Sequence, residues 1–198
     1  VTLILLLVVG AGYAFSAIDL PFLPHFIAYT VGVGLLEECT KAVAGVVVCY
    51  WIVQQAPDDT PKGHHRRVMA AFGLAGLGFG AGEAFHYFGV YNELNAGMGW
   101  YAVRAIWCVA LHASWTLISG AIIASSLPVL WDKTIDLRKI GGLILVSCIP
   151  SMILHGFYDA ACLHGSSLCW VTGIVSMIAA MSLFESSIGE ETPQVASV

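Results

Sequence analysis

Charge is what this chain lacks. Lysine, arginine, aspartate and glutamate make up 11% of its 198 residues, against about 25% in a soluble globular domain. That deficit excludes a surface wetted on all sides by water. No basic stripe is present and the net charge is −5, which excludes the electrostatic footprint of a nucleic-acid-binding protein. The six cysteines include no CxxC pair, so zinc-finger chemistry is not suggested. The HExxH helix of many zinc hydrolases is missing, and no internal repeat or soluble domain is visible. Cys162 and Cys169 flank the turn LHGSSL. They could pair if that turn faces an oxidising space, and two buried free thiols fit equally well.

Apolar sequence is abundant instead. Hydrophobic residues make up 58% of the chain and mean hydropathy is +0.82. A spanning helix needs about 20 predominantly apolar residues, and several such runs are available. The fold class read from the sequence is therefore an all-α, polytopic transmembrane helix bundle of about six spans. The expected spans are 1–18, 25–53, 68–91, 100–130, 140–163 and 168–186. VTLILLLVVGAGYAFSAI reads as a first span, because it lacks a basic n-region and a small-residue cleavage site. The breaks DLPFLPH, QQAPDDTPKGHHRR, NELNAGMG, LPVLWDKTIDLRK and LHGSSL carry turn chemistry, and the fourth span should end near Pro128. Residues 1–188 form one transmembrane domain in this reading, with 189–198 a disordered polar tail.

Basic residues set the orientation. Lys62, Arg66 and Arg67 follow the second span, and Lys133, Arg138 and Lys139 follow the fourth. Both loops lie on one face, which the positive-inside rule assigns to the cytoplasm, with both termini. Trp100 and Trp131 suit interfacial anchoring.

The scarce charges sit in telling places. LLEECTK (Leu35–Lys41) brings Glu37, Glu38 and Lys41 into the second span; Glu83 lies in the third, His112 in the fourth, and His155 and Asp159 in the fifth. At a rise of about 1.5 Å per residue, Glu37 and His112 lie roughly 18 Å from the outer ends of their spans, and Glu83 and His155 roughly 12 Å. Helices running in both directions thus bring polar groups to one slab in the outer half of the membrane. Ionisable groups at such depth face a protein interior or a wet cavity and mark function.

The faces agree with the depths. Gly73, Gly76, Gly80 and Glu83 form one stripe on the third span, the glycines allowing close helix approach. His112, Thr116 and Ser119 share a face, as do Ser151, His155 and Asp159. His155 can hydrogen-bond Asp159, which would fix the ring's tautomer, and Pro150 can kink the helix before it. Adjacent helical positions point about 100° apart. Lys41 reaches Glu37 at i+4 or Glu38 at i+3, so one carboxylate pairs with Lys41 and the other faces the cavity. The i+4 spacing favours Glu37 for Lys41. A carboxylate left facing a cavity suits general-base work on water.

Other signals weigh less. GLGFGA loosely matches a dinucleotide fingerprint but lacks the preceding strand and the later acidic residue, so helix packing explains its glycines. His64 and His65 read as part of a solvated loop, His86 as an ordinary hydrogen-bonded histidine that at i+3 can also reach Glu83, and His25 and His164 as interfacial.

The motifs EECTK, GLGFGAGE, HASWTLISG and HGFYD, in this order, resemble the PrsW family of intramembrane proteases, which is distantly similar to the CAAX prenyl-endopeptidase and ABI group. The matching segments run from Glu37 to Asp159. The resemblance implies peptide-bond hydrolysis in the membrane, with Glu37, Glu38, Glu83, His112 and His155 as the matching polar positions. It also implies a bacterial inner membrane and a membrane-anchored protein substrate such as an anti-sigma factor. Lys41 and Glu83 depart from the CAAX pattern, which argues against a prenylated substrate; that same pattern favours the first glutamate as catalytic.

The expected machinery has Glu37 or Glu38 activating water, His112 and His155 stabilising the oxyanion or protonating the leaving amine, and Lys41, Glu83 and Asp159 in support. In a metallo version, Glu83, His112 and His155 would hold zinc. A proton- or cation-coupled carrier and a catalytically silent scaffold of the same fold are the competing readings.

Overall fold

The computed structural model describes residues 10–12, 14–15, 18–54, 61–93, 98–126 and 137–188. Among them every regular element is helical: α1 (Phe22–Ala28), a π-helical segment (Tyr29–Gly34), α2 (Leu35–Gln54), α3 (Pro61–Glu93), α4 (Met98–Ser125), α5 (Leu137–Leu163) and α6 (Leu168–Ile188). The all-α membrane bundle expected from composition is what forms.

The count of about six spans is met only in part. Among the described residues four helical stretches are long and apolar enough to cross a membrane: Gly63–Gly89, Tyr101–Ser125, Arg138–Leu163 and Leu168–Ser187. The expected second span is helical throughout, but it is divided by the π-helical segment, and its α2 part carries Glu37, Glu38 and Lys41. Those three charges are what make α2 a poor free-standing span; it belongs in the membrane only with its polar face covered. Most of the expected first span, the tail 189–198, Pro128 and the side chains of Lys62, Trp100, Trp131 and Lys133 lie outside the described residues.

Two boundaries move. The expected third span begins at Pro61 rather than near residue 68. Proline is suited to the first helical position, where its missing N–H would go unpaired anyway. His64 and His65 therefore sit on the opening turns of α3, half-buried, and not in a solvated loop. The fourth span closes at Ser125, before Pro128, with Ser126 turning back onto the Ile123 carbonyl. Pro150 lies inside α5, which stays helical on both sides of it.

The side-chain distribution is inverted relative to a soluble protein. Val47 and Trp51 of α2, Phe85 of α3, Ile106 of α4, Val146 of α5 and Ile178 of α6 all point outward, whereas Glu38, Lys41, His112, Ser119, Ser151 and His155 are buried. Lipid solvates the first set, and hydrogen bonds among helices satisfy the second.

The glycine stripe on α3 sets the closest helix contact. A Cβ on Gly76 would fall on the backbone carbonyl oxygen of His112, and one on Gly80 would stand 2.8 Å from the Cα of Val109. These absences of side chain let α4 lie against α3 and bring Glu83 to the level of His112. On the other side of the bundle a Cβ on Gly156 of α5 would fall on Thr30 of the π-helical segment. That contact seats the chain segment leading into Glu37 beside His155.

Candidate active site

A cavity of about 580 Å³ opens within the bundle. It is lined by the late part of α3 (Glu83, Tyr87), the early part of α4 (Arg104, Cys108, Leu111, His112, Trp115) and the late part of α5 (His155, Tyr158, Asp159, Cys162, Leu163). Tyr29 and Val33 of the π-helical segment and Glu37 of α2 complete the wall. These positions lie toward the ends of the helices remote from Arg66 and Arg67 on α3 and from Arg138 and Lys139 on α5. Five of the seven sequence-predicted site residues face this space: Glu37, Glu83, His112, His155 and Asp159. Glu38 and Lys41 lie immediately behind it.

Lys41 organises the buried side. Its Nζ donates to Glu38 Oε1 at 2.6 Å and to His112 Nδ1 at 2.7 Å, and it lies 4.5 Å above the centre of the Phe79 ring. Glu37 Oε2 is more distant, at 3.5 Å. The expected i+4 preference is thus reversed. The i+3 carboxylate, Glu38, points into the bundle with the lysine and is 1% exposed, whereas the Glu37 side chain keeps 22% of its surface and turns to the cavity. A buried ammonium needs its partners inside, and only Glu38 lies on that side of α2.

The network assigns both histidine tautomers. A lysine ammonium has donors only, so His112 Nδ1 accepts, and the ring proton sits on Nε2. From there it is donated to Glu83 Oε2. His155 is the reverse: its Nδ1 donates to Glu38 Oε1 at 2.9 Å, leaving the Nε2 lone pair toward the cavity. The expected His155–Asp159 hydrogen bond is not made. Nε2 and Asp159 Oδ2 are in ion-pair range at 3.4 Å, and the hydrogen bond that sets the ring comes instead from Glu38 of α2. Two imidazoles and three carboxylates therefore stand around one space, with Glu38 bridging Lys41 and His155.

Glu37 Oε2, like Glu38 Oε2 behind it, is buried and makes no hydrogen bond; it lies 3.5 Å from Lys41 Nζ and 3.8 Å from His155 Nε2. The gap to His155 is too long for a direct hydrogen bond and is the kind of separation one bridging water spans.

Several cavity residues were not legible as such in the sequence. Trp115 stacks on His155 with ring centroids 4.5 Å apart, and Tyr158 packs edge-on against Trp115 at 5.7 Å. Arg104 lies 3.7 Å from the centre of the Tyr87 ring. Helical spacing carried a faint signal, since Trp115 is i+3 from His112 and Tyr158 is i+3 from His155. His86, by contrast, points outward and packs edge-on against Tyr87. His25 is not an ordinary interfacial ring: it is buried and hydrogen-bonded through Nδ1 to His164 Nε2 at 3.0 Å. The glycines of GLGFGA serve helix packing and not a nucleotide.

Such a bundle, apolar outside and lined within by histidines and carboxylates, defines a multi-pass membrane protein whose chemistry is turned inward. The family model described as PrsW family intramembrane metalloprotease matches residues 1–184, and the chain belongs to that family. It is an intramembrane protease, a hydrolase, and among the three expectations the protease is the one that stands. No curated protein and no solved structure matches the chain.

The family description names a metalloprotease, and a catalytic zinc needs three unprotonated donors turned toward one point. Among the described residues no three His, Cys, Asp or Glu side chains form a group that could hold a metal ion. The zinc set suggested by the sequence, Glu83, His112 and His155, does not fit as arranged. His112 Nε2 carries a proton already donated to Glu83, with Lys41 holding the other ring nitrogen, and His155 Nε2 faces Glu37 and Asp159 instead.

Proposed function

We propose that Glu37 is the general base of peptide-bond hydrolysis and that Glu38 holds the machinery in place. The observation that carries this reading is Glu37 Oε2 at the cavity wall, without a hydrogen bond and 3.8 Å from His155 Nε2. A water between these two atoms donates one hydrogen to each, which aims an oxygen lone pair into the cavity. Glu37 takes a proton as that oxygen attacks the scissile carbonyl carbon. The developing oxyanion accepts the Nε2 proton of His112, which turns from Glu83 to the substrate. When the C–N bond breaks, the proton held by Glu37 passes to the leaving amine, so the elements of water are divided between the acyl and amine products.

Glu38, hydrogen-bonded to Lys41 and His155, fixes the lysine, the His155 tautomer and, through Lys41, the tautomer of His112. Asp159 and Glu83 place negative charge around the two rings.

The substrate in this reading is a membrane-anchored protein, with an anti-sigma factor as the leading candidate from the family resemblance. The basic ends of α3 and α5 lie in the cytoplasm, so the cavity occupies the outer half of a bacterial inner membrane, where the juxtamembrane part of a single-span protein is within reach.

The test is cleavage of a candidate single-span protein by purified wild type, Glu37→Gln, Glu38→Gln and His155→Ala in proteoliposomes. Glu37→Gln should abolish cleavage while keeping the fold, and Glu38→Gln should weaken both. Full activity in Glu37→Gln removes the assignment. Elemental analysis addresses zinc directly: stoichiometric zinc in wild type that is lost in His155→Ala would defeat the metal-free scheme.

A further inference from the structure

Six of the eight lysines and arginines stand at or before the starts of α3 and α5, and a seventh, Lys41, is buried against Glu38 and His112. Arg104 is the exception. It lies six residues into α4, toward the outer end, and lines the polar cavity. Val103 and Ile106 beside it point outward, whereas Arg104 is half-buried. It follows the face of α4 that carries Cys108, Leu111, His112 and Trp115, all on the cavity wall. Its charge is therefore turned toward the cavity and not toward lipid. Among the described residues of that wall Arg104 is the only permanent cation, opposite Glu37, Glu83 and Asp159.

The guanidinium is held in a fixed attitude. Its carbon stands 3.7 Å over the centre of the Tyr87 ring, close enough that the flat face of the group meets the ring. The N–H donors lie in the plane of the guanidinium, five in all, so contact through the face leaves them directed sideways. Tyr87 is itself seated. Tyr101, one turn before Arg104, donates its hydroxyl to the Ala84 carbonyl at 2.8 Å and meets Phe88 edge-on, which pins the start of α4 to the turn of α3 that carries Tyr87. His86 packs edge-on against the same ring. Glu83, on the wall with Arg104, is engaged by His112.

We propose that Arg104 is a carboxylate subsite of the protease, which reads an acidic group of the substrate on the stretch leading from the cleaved bond out of the membrane. This rests on the reading of the cavity as the place of hydrolysis, with His112 at the level of the reacting carbonyl. Arg104 precedes His112 by eight residues, about 12 Å of helix, and an extended peptide advances about 3.3 Å per residue. The outgoing stretch therefore passes the guanidinium at about its third or fourth residue. The planar fork of donors matches the two oxygens of a carboxylate, and a fixed positive charge partly out of water favours an anion over a neutral carbonyl. Glu37, Glu83 and Asp159 disfavour an anion beside the bond itself, which confines the acidic group to the outer position. Two sources supply such a carboxylate: an Asp or Glu side chain, and the C-terminus of a chain already shortened to that point.

The probe is a single-span protein whose cleaved bond has been mapped by mass spectrometry, presented to the full chain in lipid nanodiscs. The residues around the third and fourth outward positions are set in turn to Asp, Asn or Lys. Asp should raise kcat/KM about 10-fold over Asn, the scale of a charge-assisted hydrogen bond, and Lys should fall below Asn. Arg104→Gln should level Asp and Asn, Arg104→Lys should keep part of the preference, and Arg104→Glu should turn it toward Lys. Chains ending at the same position with a free carboxylate or a carboxamide separate the two sources: a preference for Asp assigns the side chain, and one confined to free-ended chains assigns the terminus. Equal rates throughout both series for the wild type would overturn the subsite, as would a preference that survives Arg104→Gln. If the Gln variant does not fold, the wild-type series and Arg104→Lys decide. These are ratios between substrates for one enzyme, so they hold whichever glutamate is the base. Full activity in Glu37→Gln would remove that assignment and leave the ratios standing.

Discussion

The same helices build two different interiors. Toward one end, Ala42 and Cys49 of α2, Val68, Met69 and Phe72 of α3, Ala121, Ile123 and Ala124 of α4 and Cys148 of α5 form a dry cluster. The packing is close enough that a Cβ on Gly45 or Gly120 would run into the Phe72 side chain, at 2.8 Å and 2.6 Å. Toward the other end, on α2 to α5, Lys41, Glu38, His112 and His155 form a polar network beside an open cavity. In the dry half, contacts are many, weak and interchangeable. In the wet half Lys41, His112 and His155 each depend on a particular partner, and removing one leaves another buried and unpaired. The dry half holds the helices; the wet half uses the register they set.

Five substitutions and one control sharpen or break that contrast, and the largest effect is expected in the wet half. Glu37→Gln should lower cleavage by about 10²–10⁴-fold, as loss of a general base does, with the thermal unfolding midpoint in detergent unchanged. A variant that retains wild-type turnover would dissolve the functional distinction between the halves. Lys41→Met should destabilise by about 3–5 kcal/mol, because Glu38 and its carboxylate charge remain buried without the ammonium; equilibrium unfolding in mixed micelles measures it.

Phe72→Ala should cost a comparable ~3–5 kcal/mol through the void it leaves. The difference lies in chemistry: cleavage per folded molecule should be kept in Phe72→Ala and lost in Lys41→Met. Gly76→Ala comes next, at about 1–3 kcal/mol for overpacking, and it should slow cleavage because the clash falls on the His112 backbone. Gly78→Ala on the same helix meets open space and serves as its neutral control. Smallest is Ser151→Ala. The Ser151 hydroxyl donates to the Trp115 carbonyl at 2.6 Å and lies 2.9 Å from Ser119 Oγ, and its loss should cost about 0.5–1.5 kcal/mol with cleavage near normal.

Much of the wet half was legible because charge in a lipid-facing chain is conspicuous. Glu37, Glu83, His112 and His155 could be placed in one slab by counting residues along helices, and the Gly76–Gly80 stripe could be read as a contact because its period is helical. The partners were less legible. Spacing favoured Lys41 with Glu37 and His155 with Asp159, whereas the structure joins both Lys41 and His155 to Glu38. Local spacing says which side chains can meet on one helix; it is silent about a better partner arriving from another. The aromatic wall of Trp115 and Tyr158 was hidden for a related reason, since an aromatic residue in an apolar run gives no sign of whether it faces lipid or a cavity.

Composition and periodicity alone determined that this chain is a helical membrane protein and which of its helices carry ionisable groups. Those properties follow from the transfer of side chains out of water and from the 3.6-residue turn, both of which are local. Tertiary structure decided that Glu38 goes inward and Glu37 to the cavity, which proton each histidine carries, and that α2 lies with the bundle despite its three charges. Each of these depends on a low-dielectric interior in which a charge is tolerated only beside its partner, and that partner stands on a different helix, far away in sequence.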